Sequence, residues 1–223
     1  MRLLFRFVLA GALSLAFPLT AAAQGNAPRR SSIPLRAYAA IDLDLFNATK
    51  TFDATLGTSH LPAYGGGADL EIWKHVFVRA AATHLTKKGS RVFVDGGTAS
   101  SLNIPLTVSM TPVELGGGWR FVSSKRGMAS RLTPFVGGAA VIMQYKETSK
   151  SADASENTSK SYKGGAVFGG LDVGVYKWID VGGEVGYRFV PNAIGLGGAS
   201  KEFNEKDLGG LTVRLTIGIR IGR

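Results

Sequence analysis

The chain has 223 residues, with 30 Gly, no Cys, and 26 Lys and Arg against 16 Asp and Glu, for a net charge of +10 at pH 7. The absence of Cys excludes a disulfide framework, a thiolate nucleophile and a Cys-based metal site. The length fits one barrel or sandwich domain.

Residues 1–23 read as a secretory signal peptide: Arg2 and Arg6 give a basic start, Phe7 to Leu19 a short apolar core broken by Pro18, and Ala21-Ala22-Ala23 a small-residue cleavage site. Cleavage before Gln24 removes those two Arg and no acid, leaving a basic mature chain suited to anionic head groups or lipopolysaccharide phosphates. The Lys and Arg are scattered over turns, loops and strands, which argues against nucleic acid. Residues 24–34, with Pro28, Arg29, Arg30 and Pro34, read as a flexible lead-in.

A first strand is expected over Leu35 to Phe46, with Ala37, Ala39, Ile41, Leu43 and Leu45 on one face and Arg36, Tyr38, Ala40, Asp42 and Asp44 on the other. Asn47 to Pro62 reads as a long loop. A second strand, Ala63 to Ile72, turns Asp69 and Glu71 inward, and Trp73-Lys74-His75 makes a short turn. A third strand starts near Val76 with Arg79 inward. Thr86 to Ser101 reads as that strand projecting into a second long loop, with a hairpin signal at Asp95-Gly96-Gly97. The fourth strand spans about Leu102 to Val122, with Pro105 and Pro112 marking an irregular outer end. In its membrane part Val113, Leu115, Trp119 and Phe121 face out, and Glu114 and Arg120 face in.

Ser123 to Arg131 reads as a polar turn. Leu132 to Lys146 is a fifth strand, apolar on both faces and of open register, and Glu147 to Ser161 is a polar surface loop. The clearest unit is Gly164 to Val190, two alternating strands around a tight turn, with Asp172, Asp180, Glu184 and Arg188 on one face and Val167, Leu171, Val173, Val181, Val185, Tyr187 and Phe189 on the other. Gly66 to Val78 aligns without gaps on Gly169 to Val181, as a repeated hairpin would. Pro191 to Asp207 reads as another long loop. Leu208 to Ile221 is an eighth strand with Leu211, Val213, Leu215, Ile217, Ile219 and Ile221 opposite Thr212, Arg214, Thr216, Gly218 and Arg220.

Eight strands with alternating short turns and long loops, apolar on one face and charged on the other, predict an all-β, eight-stranded antiparallel up-and-down transmembrane β-barrel over residues 35–223. Trp73, Tyr176 and Trp178, with Trp119 and Phe121, suggest an aromatic girdle at the short-turn end. The signal peptide, Ile104 to Phe121 (IPLTVSMTPVELGGGWRF), Pro134 to Glu147 (PFVGGAAVIMQYKE), the Gly164 to Val190 hairpin and the last strand resemble the small outer-membrane β-barrel domain family, the OmpA-, OmpX- and OmpW-like barrels. The resemblance implies a cell outer membrane location, insertion by the barrel-assembly machinery, contact with outer-membrane lipid and lipopolysaccharide, and a structural, porin-like small-pore or surface-binding role. Members commonly end in an aromatic residue read by that machinery, whereas this chain ends Ile219-Arg220-Ile221-Gly222-Arg223.

The interior of such a barrel is only just wide enough for side chains. The expected lumen charges are Arg36, Asp42, Asp44, Asp69, Glu71, Arg79, Glu114, Arg120, Asp172, Asp180, Glu184, Arg188, Arg214 and Arg220. Arg can bridge carboxylates bidentately, so a charged plug is expected. The inward glycines Gly67, Gly116, Gly118, Gly170, Gly182 and Gly186 would leave space for a narrow water-filled path instead. No cofactor is expected, and no enzyme. His60, His75 and His84 show no ligand spacing, and a lipid-modifying activity would have to rest on Ser59-His60. The soluble alternative is a secreted lipocalin-like barrel with the apolar faces turned inward around an apolar ligand.

Overall fold

The structure is a computed structural model that describes residues 35–122, 131–149, 157–195 and 198–221. The signal peptide, the lead-in and most of the Ser123 to Arg131 turn lie outside the described residues.

The elements are β1 (Leu35–Phe46), α1 (Thr49–Leu56), β2 (His60–Trp73), β3 (Val76–Asp95), β4 (Thr98–Arg120), β5 (Leu132–Thr148), β6 (Thr158–Gly174), β7 (Ile179–Phe189), α2 (Gly198–Glu202) and β8 (Gly210–Ile221). Each strand pairs antiparallel with the next, and β8 closes on β1 with Leu35 opposite Ile221 and Ile41 opposite Leu215. Closure leaves no free sheet edge, the condition for strands to cross a membrane.

The period-2 pattern explains which way each strand faces. Ile41, Leu43, Val78, Leu115, Val136, Val167, Leu171, Val185, Leu215 and Ile217 all stand exposed on the outer wall, while Arg36, Asp42, Asp69, Arg79, Glu114, Asp172, Asp180, Glu184, Arg188 and Arg214 are buried inside. This is the reverse of what a lipocalin-like barrel needs, so that alternative is excluded. An apolar wall around a polar interior is the arrangement that lipid requires. Trp73, Trp119, Tyr176 and Trp178 stand exposed around the short-turn end.

Four loop expectations are corrected. Asn47 to Pro62 holds the eight-residue helix α1, which buries Phe52 and Leu56 one turn apart, and β2 already begins at His60. The first-turn amides of Lys50 and Thr51 donate to the Glu205 carboxylate at 3.0 and 2.8 Å, a cap supplied from far along the chain. Thr86 to Ser101 is no long loop: β3 and β4, of 20 and 23 residues, continue together to a turn at Gly96 (φ 55°) and Gly97 (φ 83°). Positive φ at both central residues suits the twist of paired strands, and Gly adopts it without strain. Both strands are about ten residues longer than a membrane crossing needs. In Glu147 to Ser161, β5 runs on to Thr148 and β6 starts at Thr158. Pro191 to Asp207 carries the short helix α2.

Inside the long-loop end, Phe46, Phe52, Leu56, Leu61, Leu85, Leu106, Val108, Met110, Val141, Met143, Val190 and Leu208 form one buried apolar core. The helix α1 lies so close to β3 that a Cβ at Gly89 would fall 2.0 Å from the Thr55 carbonyl oxygen. The barrel is thus roofed from within at the end that carries the loops.

Candidate functional site in the barrel interior

The short-turn half of the interior is filled by guanidinium groups and carboxylates. Arg36 reaches Asp180 from Nε at 2.7 Å, Asp69 at 3.4 Å, Asp172 at 3.1 Å and the Thr216 hydroxyl at 2.9 Å. Asp69 also takes Arg79 Nε at 2.8 Å and Arg120 Nη2 at 2.6 Å. Arg220 donates to Asp180 at 2.7 Å. One level further in, Arg188 touches Glu114 at 2.8 Å, Asp44 at 2.6 Å and Asp42 at 3.1 Å. Arg214 grips Asp42 with two bonds of 2.8 and 2.9 Å and reaches Glu114 and Glu184 at 3.1 Å each. Glu184 also accepts a bond from Arg79 Nη1, which joins the two levels into one network.

Six arginines thus face seven carboxylates among the described residues, and the two signs nearly balance. Near-balance matters here because an unpaired charge in a dry interior is expensive. The planar guanidinium fork lets one side chain neutralise two or three acids at once. Asp172 is the loosest member. It has Arg36 at 3.1 Å and Arg220 at 4.0 Å, and neither oxygen has a well-aligned hydrogen bond. Glu71 stands apart: it is half-buried beside Arg36, Arg120 and Arg220 at the short-turn mouth and forms no ion pair among the described residues.

A layer of aromatic rings between the charges has no counterpart in the sequence reading. Phe77, Phe135 and Phe168 cluster around Arg79, whose guanidinium lies 5.4, 5.3 and 4.4 Å from their ring centroids. Arg120 lies 4.5 Å from the Phe77 centroid and Arg36 4.7 Å from that of Tyr38. Cations over ring faces at this range attract. Each ring sits directly across the sheet from a glycine: Tyr38 opposite Gly67, Phe77 opposite Gly118, Phe135 opposite Gly170 and Phe168 opposite Gly137. A Cβ at those glycines would come 2.6 Å from the Tyr38 hydroxyl, 2.9 Å from Phe77, 2.7 Å from Phe135 and 2.6 Å from Phe168. Gly67, Gly118 and Gly170, expected to leave a path, instead make room for rings. At Gly182 a Cβ would meet Asp172 at 2.5 Å and Thr216 at 2.6 Å, so this glycine makes room for the ion pairs. The pairing could have been sought by matching inward aromatics with glycines on the neighbouring strand.

The histidines are placed apart. Ser59 is buried and His60 exposed. His84 faces outward, its Nδ1 2.7 Å from the Thr111 hydroxyl and its Nε2 3.0 Å from that of Thr86, which is 3.0 Å from Ser109. This hydroxyl ladder includes no carboxylate among the described residues, so nothing there orients a catalytic base. Among the described residues no group of His, Asp and Glu has the spacing to hold a metal ion.

No protein-family model matches the sequence, and no curated protein matches it. Among solved structures, the outer membrane protein OprG from Pseudomonas aeruginosa superposes with a TM-score of 0.59 at 12% identity, covering 86% of this chain and 97% of that one. The chain has the fold of the outer-membrane β-barrels. The attachment invasion locus protein Ail of Yersinia pestis, in complex with the heparin analogue sucrose octasulfate, is similar with a TM-score of 0.46 at 12% identity over 85% of this chain and 97% of its own. The N-terminal β-barrel domain of Pseudomonas aeruginosa OprF is similar with a TM-score of 0.46 at 10% identity over 86% and 98%. The OprG likeness concerns architecture: an eight-stranded closed barrel, here with its own charged and aromatic filling.

Proposed function

We propose that this protein is an exported outer-membrane barrel, cleaved after Ala23, whose interior is closed and whose work is done at its outer rim and mouth. The observation that carries this reading is the continuous filling of the interior, ion pairs and rings in one half and an apolar core in the other. A barrel so filled holds its shape and offers solutes no route, which favours a structural and surface-binding role over a pore. Among the described residues no constellation favours turnover.

The rim supports the binding half of the reading. Lys88, Lys146 and Lys163 are exposed on the outward faces of β3, β5 and β6, beside the Thr86–Ser109 and His84–Thr111 hydroxyl pairs. Ile142, directly across the sheet from Lys163, begins the apolar wall, which runs on through Leu115 to Val136 toward the short-turn end. Basic groups above an apolar wall suit an anionic glycolipid such as lipopolysaccharide, its phosphates on the lysines and its acyl chains on the wall.

Because the chain has no Cys, single reporters test the orientation cleanly. A membrane-impermeant maleimide added to intact cells is expected to label Ser159→Cys, at the long-loop end, and to spare Lys177→Cys, in a short turn. The reverse pattern overturns the reading. Replacing Lys88, Lys146 and Lys163 together by Gln is expected to lower the lipopolysaccharide retained per purified barrel, and unchanged retention removes the rim from the account.

A further inference from the structure

Above the apolar core, the mouth holds a cup of about 490 Å3. The tall β3–β6 wall bounds it on one side, and α1 with the α2 segment on the other. Its size falls in the range of small-ligand sites, roughly 300–1,000 Å3. Its floor is apolar, built from Phe52, Leu106 and Val108 of the core beneath. That core contains the fully buried Met110, Met143 and Leu208, so whatever enters the cup must leave by the same opening.

The walls carry charge. Among the described residues the charged groups lining the cup are Arg91 from β3, Lys160 from β6 and the carboxylate of Glu147 from β5, and Lys160 is the cation the site turns on. That carboxylate is engaged, since the Tyr145 hydroxyl donates to it at 3.0 Å. Burial, reinforced by the carboxylate, holds the Tyr145 phenol protonated far above its ordinary range, so it stays a donor. Lys160 lies directly across the sheet from Tyr145, is exposed, and has no ion pair among the described residues. An ammonium beside an apolar floor attracts an anion more strongly than the same group in open water.

We propose that this cup is a binding site for small anionic amphiphiles, aromatic or medium-chain carboxylates, with the apolar body on the Phe52–Leu106–Val108 floor and the carboxylate at Lys160. The assignment rests on the surface-binding reading above and gives it a ligand class. Capture at a blind cup is recognition or retention, not passage.

The test uses the folded full barrel in lipid nanodiscs, with para-trifluoromethylbenzoate as probe and its neutral amide as control, followed by fluorine NMR. The benzoate is expected to bind and the amide to bind at least about tenfold more weakly, the scale of one charge-assisted hydrogen bond. Lys160→Glu is expected to lose about tenfold or more in benzoate affinity, and Lys160→Gln less. Thr158→Trp, which fills the cup from its β6 wall, is expected to abolish binding of both probes. Lys177→Glu, in a turn at the far end, is expected to change nothing. Equal binding of benzoate and amide, or benzoate binding unaffected by Lys160→Gln and Thr158→Trp in barrels that pass a heat-shift gel, overturns the site. Planar-bilayer conductance of the same purified barrel separates the two readings: a silent barrel that ignores benzoate sinks the cup alone, whereas a conducting barrel sinks the closed interior.

Discussion

Following β4 inward from the short-turn end, the buried side chains are Arg120 and Glu114, then Met110, Val108 and Leu106. β1 does the same over fewer residues, from Arg36 through Asp42 and Asp44 to Phe46. The two halves of the interior are therefore closed by opposite chemistries on the same strands. In the charged half every arginine except Arg120, which has Asp69 alone among the described residues, is held at set distances by two or more acids, so this half fixes strand spacing and barrel shape. Its net contribution to stability is modest, because desolvating the ions offsets much of their attraction. In the apolar half the side chains are held by packing and by the two helices, and burial stabilises at about 25 cal/mol per Å2. One half specifies geometry and the other excludes water.

Single changes should break the halves differently. The largest effect is expected for Arg214→Leu, which takes one cation from Asp42, Glu114 and Glu184 at once and leaves three buried acids to Arg188 and Arg79; a loss of about 3–5 kcal/mol should appear in urea unfolding from micelles. A loss below about 1 kcal/mol would mean that water already shares that site. In the other half, Leu208→Ala should cost about 2–5 kcal/mol in the same assay, the usual range for a buried leucine. Gly182→Ala forces a methyl against Asp172 and Thr216 and should cost about 1–3 kcal/mol, with part recovered by adding Thr216→Ala. No recovery would show that the backbone, not the crowded side chains, sets that cost. The smallest effect is expected for Glu205→Gln, which weakens the α1 cap by about 0.5–2 kcal/mol and should speed amide exchange in α1 while leaving β1–β8 protected. Exchange spreading into the strands would mean that the roof and the wall unfold as one unit.

The charged half was the legible one. Strict alternation in β1, β7 and β8 fixes which face each residue takes, and a charge on the face opposite Ile41, Val185 or Leu215 can only point inward. The end of β1 at Phe46 was legible to the residue, and so was the Asp95-Gly96-Gly97 turn. The apolar half was not. In β5, Val141 and Met143 alternate with Ala140 and Ile142, so both faces are apolar and the period carries no direction. β4 is punctuated by Pro105 and Pro112, yet Leu106, Val108 and Met110 keep strand geometry between them. The helix α1 is short, Thr-rich and capped by Glu205, which lies 155 residues from Lys50. Local propensity cannot see a cap supplied by tertiary structure. The glycines misled for a related reason: whether Gly67 leaves a hole depends on Tyr38 across the sheet, a pairing that only the register reveals.

The measurement that tests the closed interior most directly is single-channel conductance of the folded barrel in a planar bilayer, with folding checked by heat-shift gel. The wild-type barrel should be silent. Arg188→Gly with Arg214→Gly, if still folded, should also stay silent, because the apolar core seals the other half. Discrete, reproducible openings of the wild-type barrel would contradict the account and make the interior a solute path.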